Sequence, residues 1–375
     1  MAERDDGRVK NWAGGGRGWE PDPAPEPTPP PKKDEPPPAP QQPEKKKHAY
    51  VTALGGTGVV CGRFLPLHRG HEYVIDVARG SVQDLLVLVF ASPGDPIPGE
   101  VRVRWLRELY PDVAVELVER TAPALLAPDP AELVAAVARH REHPPRFFFA
   151  SEPAYAAAAE ALGATFVPVD PARGVFPTSG TALRADVLRH FEMLAVPARP
   201  WFVRRVAVIG AESTGKSTLC AQLADHFGTL HVPEYARTLA EHRGDLDAES
   251  LALAARAQLA SEDAIARRAR RVMICDTDVR TAARWHERLF GAAPEWMGVP
   301  RAYDLVLATS LAEPFVGRAD RDRPAARRAF HTRLLADHPG AIELTGDRVV
   351  RLAQAIAAVE QLLARGDFLA ARAQG

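Results

Sequence analysis

Nine residues, Gly210-Ala211-Glu212-Ser213-Thr214-Gly215-Lys216-Ser217-Thr218, follow directly on the apolar run Val206–Ile209 and lead into a helical pattern. A strand, then Gly-x-x-x-x-Gly-Lys-Ser, then a helix is a phosphate-binding loop in its full structural context. Gly210 and Gly215 let the backbone wrap until successive N–H groups point inward at phosphate oxygens, and the helix adds its positive N-terminal end. Lys216 supplies a point charge for the β- and γ-phosphates. Ser217, one residue inside the helix, is placed to offer its hydroxyl to a Mg²⁺ that bridges them. The loop predicts ATP or a similar triphosphate as co-substrate.

Strand and helix patterns alternate on both sides of this loop. Upstream, apolar strands are expected at 59–61, 85–90, 113–118, 146–150 and 165–169, with helical stretches near 72–79, 101–110, 131–141 and 153–162. Downstream, strands are expected at 203–209, 230–233, 272–275, 304–308 and 341–344, with long helices over 248–270 and 347–365. Alternation of this kind predicts an α/β protein with two doubly wound parallel sheets, whose ligands sit at the carboxyl ends of the strands. The chain has 375 residues, and Pro197-Ala198-Arg199-Pro200 reads as a short stiff linker, so the boundaries fall at 1–48, 49–196 and 202–370. Residues 1–48 hold 12 of the 34 prolines between Pro21 and Pro43 and balance nine basic against nine acidic residues up to Ala49. Such a tail cannot bury enough apolar surface to offset its ordering entropy and is expected to be disordered.

A net charge of −1 advertises neither nucleic acid nor an anionic membrane as a partner. Cys61, Cys220 and Cys275 lie in apolar patterns without metal-ligand spacing. Neither a transmembrane run nor a signal-type segment is present, so a cytoplasmic protein is expected. The oligomeric state is not legible, and a homo-oligomer stays open.

The first unit carries its own chemistry. Gly62-Arg63-Phe64-Leu65-Pro66-Leu67-His68-Arg69-Gly70-His71 follows the first strand, so both imidazoles project toward whatever occupies the helix N-terminus, and Gly70 allows close approach. Further on, Ser179-Gly180-Thr181-Ala182-Leu183-Arg184 opens another helix, with Ser179 and Thr181 as caps and Arg184 one turn in, able to reach a phosphate. An incoming phosphate that attacks the α-phosphorus of ATP is already ionised, so positioning and charge stabilisation suffice.

These two strings resemble the nucleotidylyltransferase superfamily, in particular nicotinamide mononucleotide adenylyltransferases. The interval is similar as well: Pro98-x-x-x-Arg102-x-x-Trp105-Leu106, Ser151-Glu152 and Val169-Asp170-Pro171-x-Arg173. Followed by Gly-Ala-Glu-Ser-Thr-Gly-Lys-Ser-Thr, the arrangement resembles the NadR type, a bifunctional adenylyltransferase and ribosylnicotinamide kinase. The resemblance implies that the C-terminal unit phosphorylates nicotinamide riboside with ATP and that the N-terminal unit adenylylates nicotinamide mononucleotide to NAD. Mg²⁺ serves both steps.

In the second unit, Val272–Asp276 is an apolar strand ending in a carboxylate, the form expected of a Mg²⁺ holder, with Asp278 on the same rim; either can instead be a helix N-cap, Asp278 as readily as a site residue. A nucleoside 5′-hydroxyl must lose a proton as it attacks, for which Glu234 is the first candidate base and Asp276 the second. Arg237 either orients substrate or pairs with Glu241. Gln258, Asp278 and Trp285 fit the resembled type as substrate contacts. Trp105 and Trp285 are candidates for facing the cationic pyridinium ring, one in each unit, with core packing as the other reading of each. Arg318, Arg321, Arg323, Arg327 and Arg328 crowd a segment that could close as a lid. Two other readings stay open: an ATP- and NAD-binding sensor, or a different nucleotidylyltransferase joined to a different nucleoside kinase.

Overall fold

A computed structural model describes residues 55–121, 129–299, 301–311 and 324–365. The Pro-rich tail and the lid arginines Arg318, Arg321 and Arg323 lie outside them. The first sheet contains β1 (Thr57–Gly62), β2 (Asp84–Ala91), β3 (Ala114–Glu119), β4 (Phe147–Ala150) and β5 (Thr165–Pro168), in the order β3-β2-β1-β4-β5. The second contains β6 (Arg204–Ile209), β7 (His231–Val232), β8 (Val272–Asp276), β9 (Leu305–Thr309) and β10 (Ile342–Leu344), in the order β10-β9-β6-β8-β7. Every pairing is parallel.

Parallel strands covered on both faces need near-continuous apolar sequence. Leu85–Phe90 in β2, Phe147–Ala150 in β4 and Val206–Ile209 in β6 supply it, and all are buried. The helices between them start on local signals. Asp129 caps Pro130–His140, where proline occupies the first turn, and Asp247 caps Ala248–Ala266 through the Ser250 N–H. Gly228, at φ 56°, ends the helix Lys216–Phe227, a left-handed position open to glycine at little cost.

Strand order reverses once in each sheet, beside β1 in the first and beside β6 in the second. A crevice forms at such a switch point because the flanking connections leave in opposite directions. The loop after β1 and the residues after β4 flank the first crevice. The phosphate-binding loop after β6 and Asp276 at the end of β8 flank the second.

The segment read as a linker is built differently. Val196–Ala198 forms a 3₁₀ turn that runs into the short helix Arg199–Phe202. Pro197 is buried, and Ala198, Phe202 and Val203 belong to an apolar cluster that continues from the first sheet's helices to Ala266 and Ala269 and to Met273 and Cys275 of β8. Glu108 pairs with Arg267, and Glu192 meets Arg270 at 2.7 Å, across the same junction. Proline stiffness is thus used to pack the two units together, not to hold them apart.

Candidate active sites

The first crevice is a cavity of about 600 Å³. Gly62, Arg63, Phe64, His68, Gly70 and His71 line it from the β1 side, and Ser179, Gly180, Thr181 and Arg184 face them. The two strings, more than a hundred residues apart in sequence, are therefore brought together.

His68 caps the helix Arg69–Ser81: its Nδ1 accepts the Gly70 N–H at 3.1 Å. An acceptor Nδ1 requires the neutral ring to carry its proton on Nε2, which becomes the donor available to a ligand. His71 stacks on His68 with ring centroids 3.7 Å apart, and Phe64 meets His71 edge-on at 4.9 Å. Burial holds both imidazoles neutral, helped by the positive charge of Arg173 and Arg184; His68 is pushed down to about 3 and His71 well below the usual value. The His71 Nδ1 has no hydrogen-bond partner among the described residues. Gly70 packs close to the His68 ring, where a Cβ would stand 3.1 Å from it.

The cations around this cavity are braced from behind. Arg184 donates to the Leu65 carbonyl at 2.6 Å and to Thr181 Oγ1 at 3.1 Å. Ser179 accepts the Ala182 N–H at 3.1 Å, so Ser179 alone is the cap and Thr181 instead anchors Arg184. Gly180 is required there, because a Cβ would sit 3.0 Å from the Leu65 carbonyl oxygen and 3.1 Å from the Arg184 guanidinium. Arg63 pairs with Asp95 at 2.5 Å. Asp95 also takes an ion pair from Arg102, a fully buried guanidinium that donates to the carbonyls of Arg63 and Phe90 and so pins the Gly62–Phe64 turn. Arg173 donates to the Thr178 carbonyl and Glu152, each at 2.7 Å.

Trp105 takes the packing alternative and not the pyridinium one. It is buried in the apolar junction, edge-on to Trp201 at 6.2 Å, and does not line the cavity. Position Trp105 on the helix Gly99–Leu109 faces the packing surface and not the strand ends. Tyr73 and Phe176 do line the cavity, in edge contact at 5.7 Å. Sequence reading missed them, since neither lies in a motif.

In the second unit Gly210, at φ 146°, and Gly215, at φ 87°, turn the loop, with Ser213 also left-handed at φ 57°. A Cβ on Gly210 would collide with the Thr309 side chain. Thr214 Oγ1 donates to the Ala211 carbonyl or shares a 2.7 Å hydrogen bond with Thr309 Oγ1, bracing the turn against β9. Lys216 lies buried along the loop, its Nζ 3.0 Å from the Ala211 carbonyl. Two arginines outside the motif hold the loop from its flanks: Arg327 reaches the Glu212 carbonyl at 2.8 Å and Arg351 the Thr214 carbonyl at 3.2 Å. Glu212 is half-buried, and Ser213 and Thr218 are exposed.

Ser217, Glu234 and Asp276 converge on one guanidinium. Arg237 lies 2.5 Å from Ser217 Oγ, 2.7 Å from Glu234 Oε2 and 3.9 Å from Asp276 Oδ2. Its partner is thus Glu234, one turn back, and not Glu241. Burial raises the Glu234 carboxyl above its usual range, against the opposing pull of Lys216 and Arg237. Asp276 is almost fully buried and its Oδ1 has no hydrogen-bond partner among the described residues. A hydroxyl one residue past the loop lysine and a buried carboxylate with an oxygen to spare suit a hard, oxygen-seeking cation, so these residues fit Mg²⁺.

Glu234, Gln258 and Trp285 line a second, narrow cavity of about 20 Å³. Gln258 accepts the Tyr235 N–H at 2.9 Å, and its Nε2 is buried without a partner. Trp285 lies against Phe330 at 4.5 Å, and the Arg288 guanidinium stands 5.1 Å over its ring. Asp278 takes the helix-cap alternative. It caps the helix Val279–Phe290 through the Thr281 N–H and holds His338 at 2.9 Å, with both carboxylate oxygens engaged.

A family model described as an AAA domain matches residues 205–345. The chain is 32% identical over 200 residues to the trifunctional NAD biosynthesis/regulator protein NadR of Salmonella typhimurium and 31% identical over 201 residues to that of Escherichia coli. Each match covers 48% of this chain and 48% of the relative, so the chain spans about half the length of the curated relatives it matches. A crystal structure of NadR protein in complex with NR superposes with a TM-score of 0.65 at 22% identity, over 84% of this chain and 98% of the other. A second, with NAD and AMP-PNP, gives 0.64 at 22% identity, over 83% and 97%. The resemblance to NadR-type proteins thus extends to the arrangement of both sheets. No helix among the described residues is long and apolar enough to cross a membrane.

Proposed function

We propose that the chain is a bifunctional enzyme of NAD salvage. Residues 202–370 phosphorylate nicotinamide riboside with ATP, and residues 49–196 adenylylate the resulting mononucleotide to NAD. The carrying observation is the convergence of Gly62–His71 and Ser179–Arg184 on one cavity, in a chain whose second switch point bears a phosphate-binding loop. Curated relatives named for NAD biosynthesis, and folds solved with NR, NAD and AMP-PNP, support the choice of substrates.

In the second unit the riboside 5′-hydroxyl attacks the γ-phosphorus, the bond to the β-phosphate oxygen breaks, and ADP leaves. Glu234 takes the hydroxyl proton, a task suited to a carboxylate whose affinity for protons burial has raised. The loop N–H groups and Lys216 hold the phosphates. Ser217 and Asp276 would hold Mg²⁺, which neutralises charge on the transferring group. Gln258 and Trp285 wall the slot and orient the nucleoside by shape, the indole being already engaged by the Arg288 guanidinium and by Phe330. The narrow cavity between them admits little more than a water molecule, so the riboside enters only as this cleft widens.

In the first unit the mononucleotide phosphate attacks the α-phosphorus of a second ATP, and pyrophosphate leaves. The nucleophile is already charged, so neutral His68 and His71 act as N–H donors to the phosphates, with Arg63, Arg173 and Arg184 adding positive charge.

Lys216→Ala should abolish phosphorylation of the riboside while NAD still forms from added mononucleotide. His71→Ala should lower NAD formation about 10²–10³-fold and spare phosphorylation. Loss of both activities in either variant would contradict the assignment.

A further inference from the structure

The contacts of Arg237 carry more than a substrate-orienting role. Its guanidinium bridges Ser217 Oγ, Glu234 Oε2 and, more loosely, Asp276 Oδ2. Ser217 and Asp276 are also the residues whose oxygens suit a divalent cation, and the spare Asp276 Oδ1 is buried. A divalent ion seated on Ser217 Oγ would stand beside the guanidinium that donates to the same oxygen, and close to the buried Asp276, where water screens charge poorly, the repulsion between the two cations opposes joint occupancy.

We infer that Arg237 and a divalent cation are mutually exclusive partners of Ser217 and Asp276, so that metal entry expels the guanidinium and releases Glu234 from its ion pair. The inference deepens the kinase reading above and rests on it for the role of Glu234. Exchange of one cation for another keeps the buried Asp276 compensated throughout, which avoids the cost of leaving a buried charge alone. Side-chain exposure fits this motion: the Arg237 side chain is 42% exposed, against 2% for that of Asp276, so the arginine can swing outward while the carboxylate stays. The consequence is an order of events. The carboxylate that accepts the hydroxyl proton is paired with Arg237 until the metal arrives, so a metal-free site holds its base engaged.

The test is Mn²⁺ binding to the full chain in saturating ADP, read by electron paramagnetic resonance of free Mn²⁺. Arg237→Gln should bind Mn²⁺ about tenfold more tightly than the parent, the scale of one lost charge-assisted hydrogen bond. Arg237→Lys, which keeps the charge but not the planar bridge, should fall between. Ser217→Ala should lose the tight component, which places the bound ion at this loop. Mn²⁺ affinity that is unchanged or weaker in both Arg237 variants would overturn the inference. Riboside phosphorylation by the parent is measured separately. If it is absent while the Mn²⁺ gain persists, the substrate reading fails and the cation exchange stands.

Discussion

The two crevices, each proposed to hold polyphosphate at a switch point, are built by opposite means. The first is open, about 600 Å³, and its cations are held from behind by carbonyls and carboxylates, so that they face a shaped space. The second has its acids and bases clasped on one another around Arg237, beside a slot of about 20 Å³. Pre-organisation lowers the ordering cost of binding. A site made of internal pairs must trade them for ligand contacts, which makes it sensitive to the order in which ligands arrive. The first crevice is therefore expected to bind its ligands with little rearrangement, and the second only with it.

Substitutions that separate packing from binding test this contrast. Trp105→Ala removes a buried indole from the junction of the two units and should cost about 3–5 kcal/mol of stability, read by denaturant unfolding. The KM of adenylylation should not change; a raised KM would return Trp105 to the site. Gly210→Ala puts a side chain at φ 146° against Thr309 and should cost roughly 1–3 kcal/mol. Phosphorylation should be lost while adenylylation persists.

Trp285→Ala removes a wall of the slot and should raise the KM for the riboside by roughly tenfold, the scale of about 1.4 kcal/mol of lost binding. An unchanged KM would remove Trp285 from the slot's function. The enclosed histidines of the first crevice add a pH slope. His68 is pushed down to about 3 in the fold from its ordinary 6.5, so the unfolded chain takes up the proton first as pH falls. Its contribution to stability is complete above about 6.5 and declines from there toward 3. Thermal midpoints between pH 7 and 4 should drop less steeply in His68→Asn than in the parent.

Much of this was legible in the sequence because apolar runs and glycine-marked turns are local. All ten strands are where such runs placed them, and the phosphate-binding loop needed only its own nine residues and flanks. What was not legible depends on partners far along the chain. Trp105 on a helix face looks the same whether it meets Trp201 or a ligand. Asp278 just past a strand end reads equally as a site residue or a helix cap until the fold shows it capping Val279–Phe290 and holding His338. Arg237 has carboxylates at both helical spacings, Glu234 behind and Glu241 ahead, and only the fold selects the first. Pro197–Pro200 has the composition of a spacer, and its burial follows from the two surfaces that close over it. The aromatic pair of Tyr73 and Phe176 left no signal, because the two are joined only through the cavity they line.

The central claim is that one chain runs two transfers in series. Its most direct test supplies purified protein with nicotinamide riboside, excess ATP and Mg²⁺ and counts ADP, pyrophosphate and NAD together. The expected result is one ADP and one pyrophosphate for each NAD, with the mononucleotide rising first. Neither mononucleotide nor NAD, or NAD without matching pyrophosphate, would contradict it.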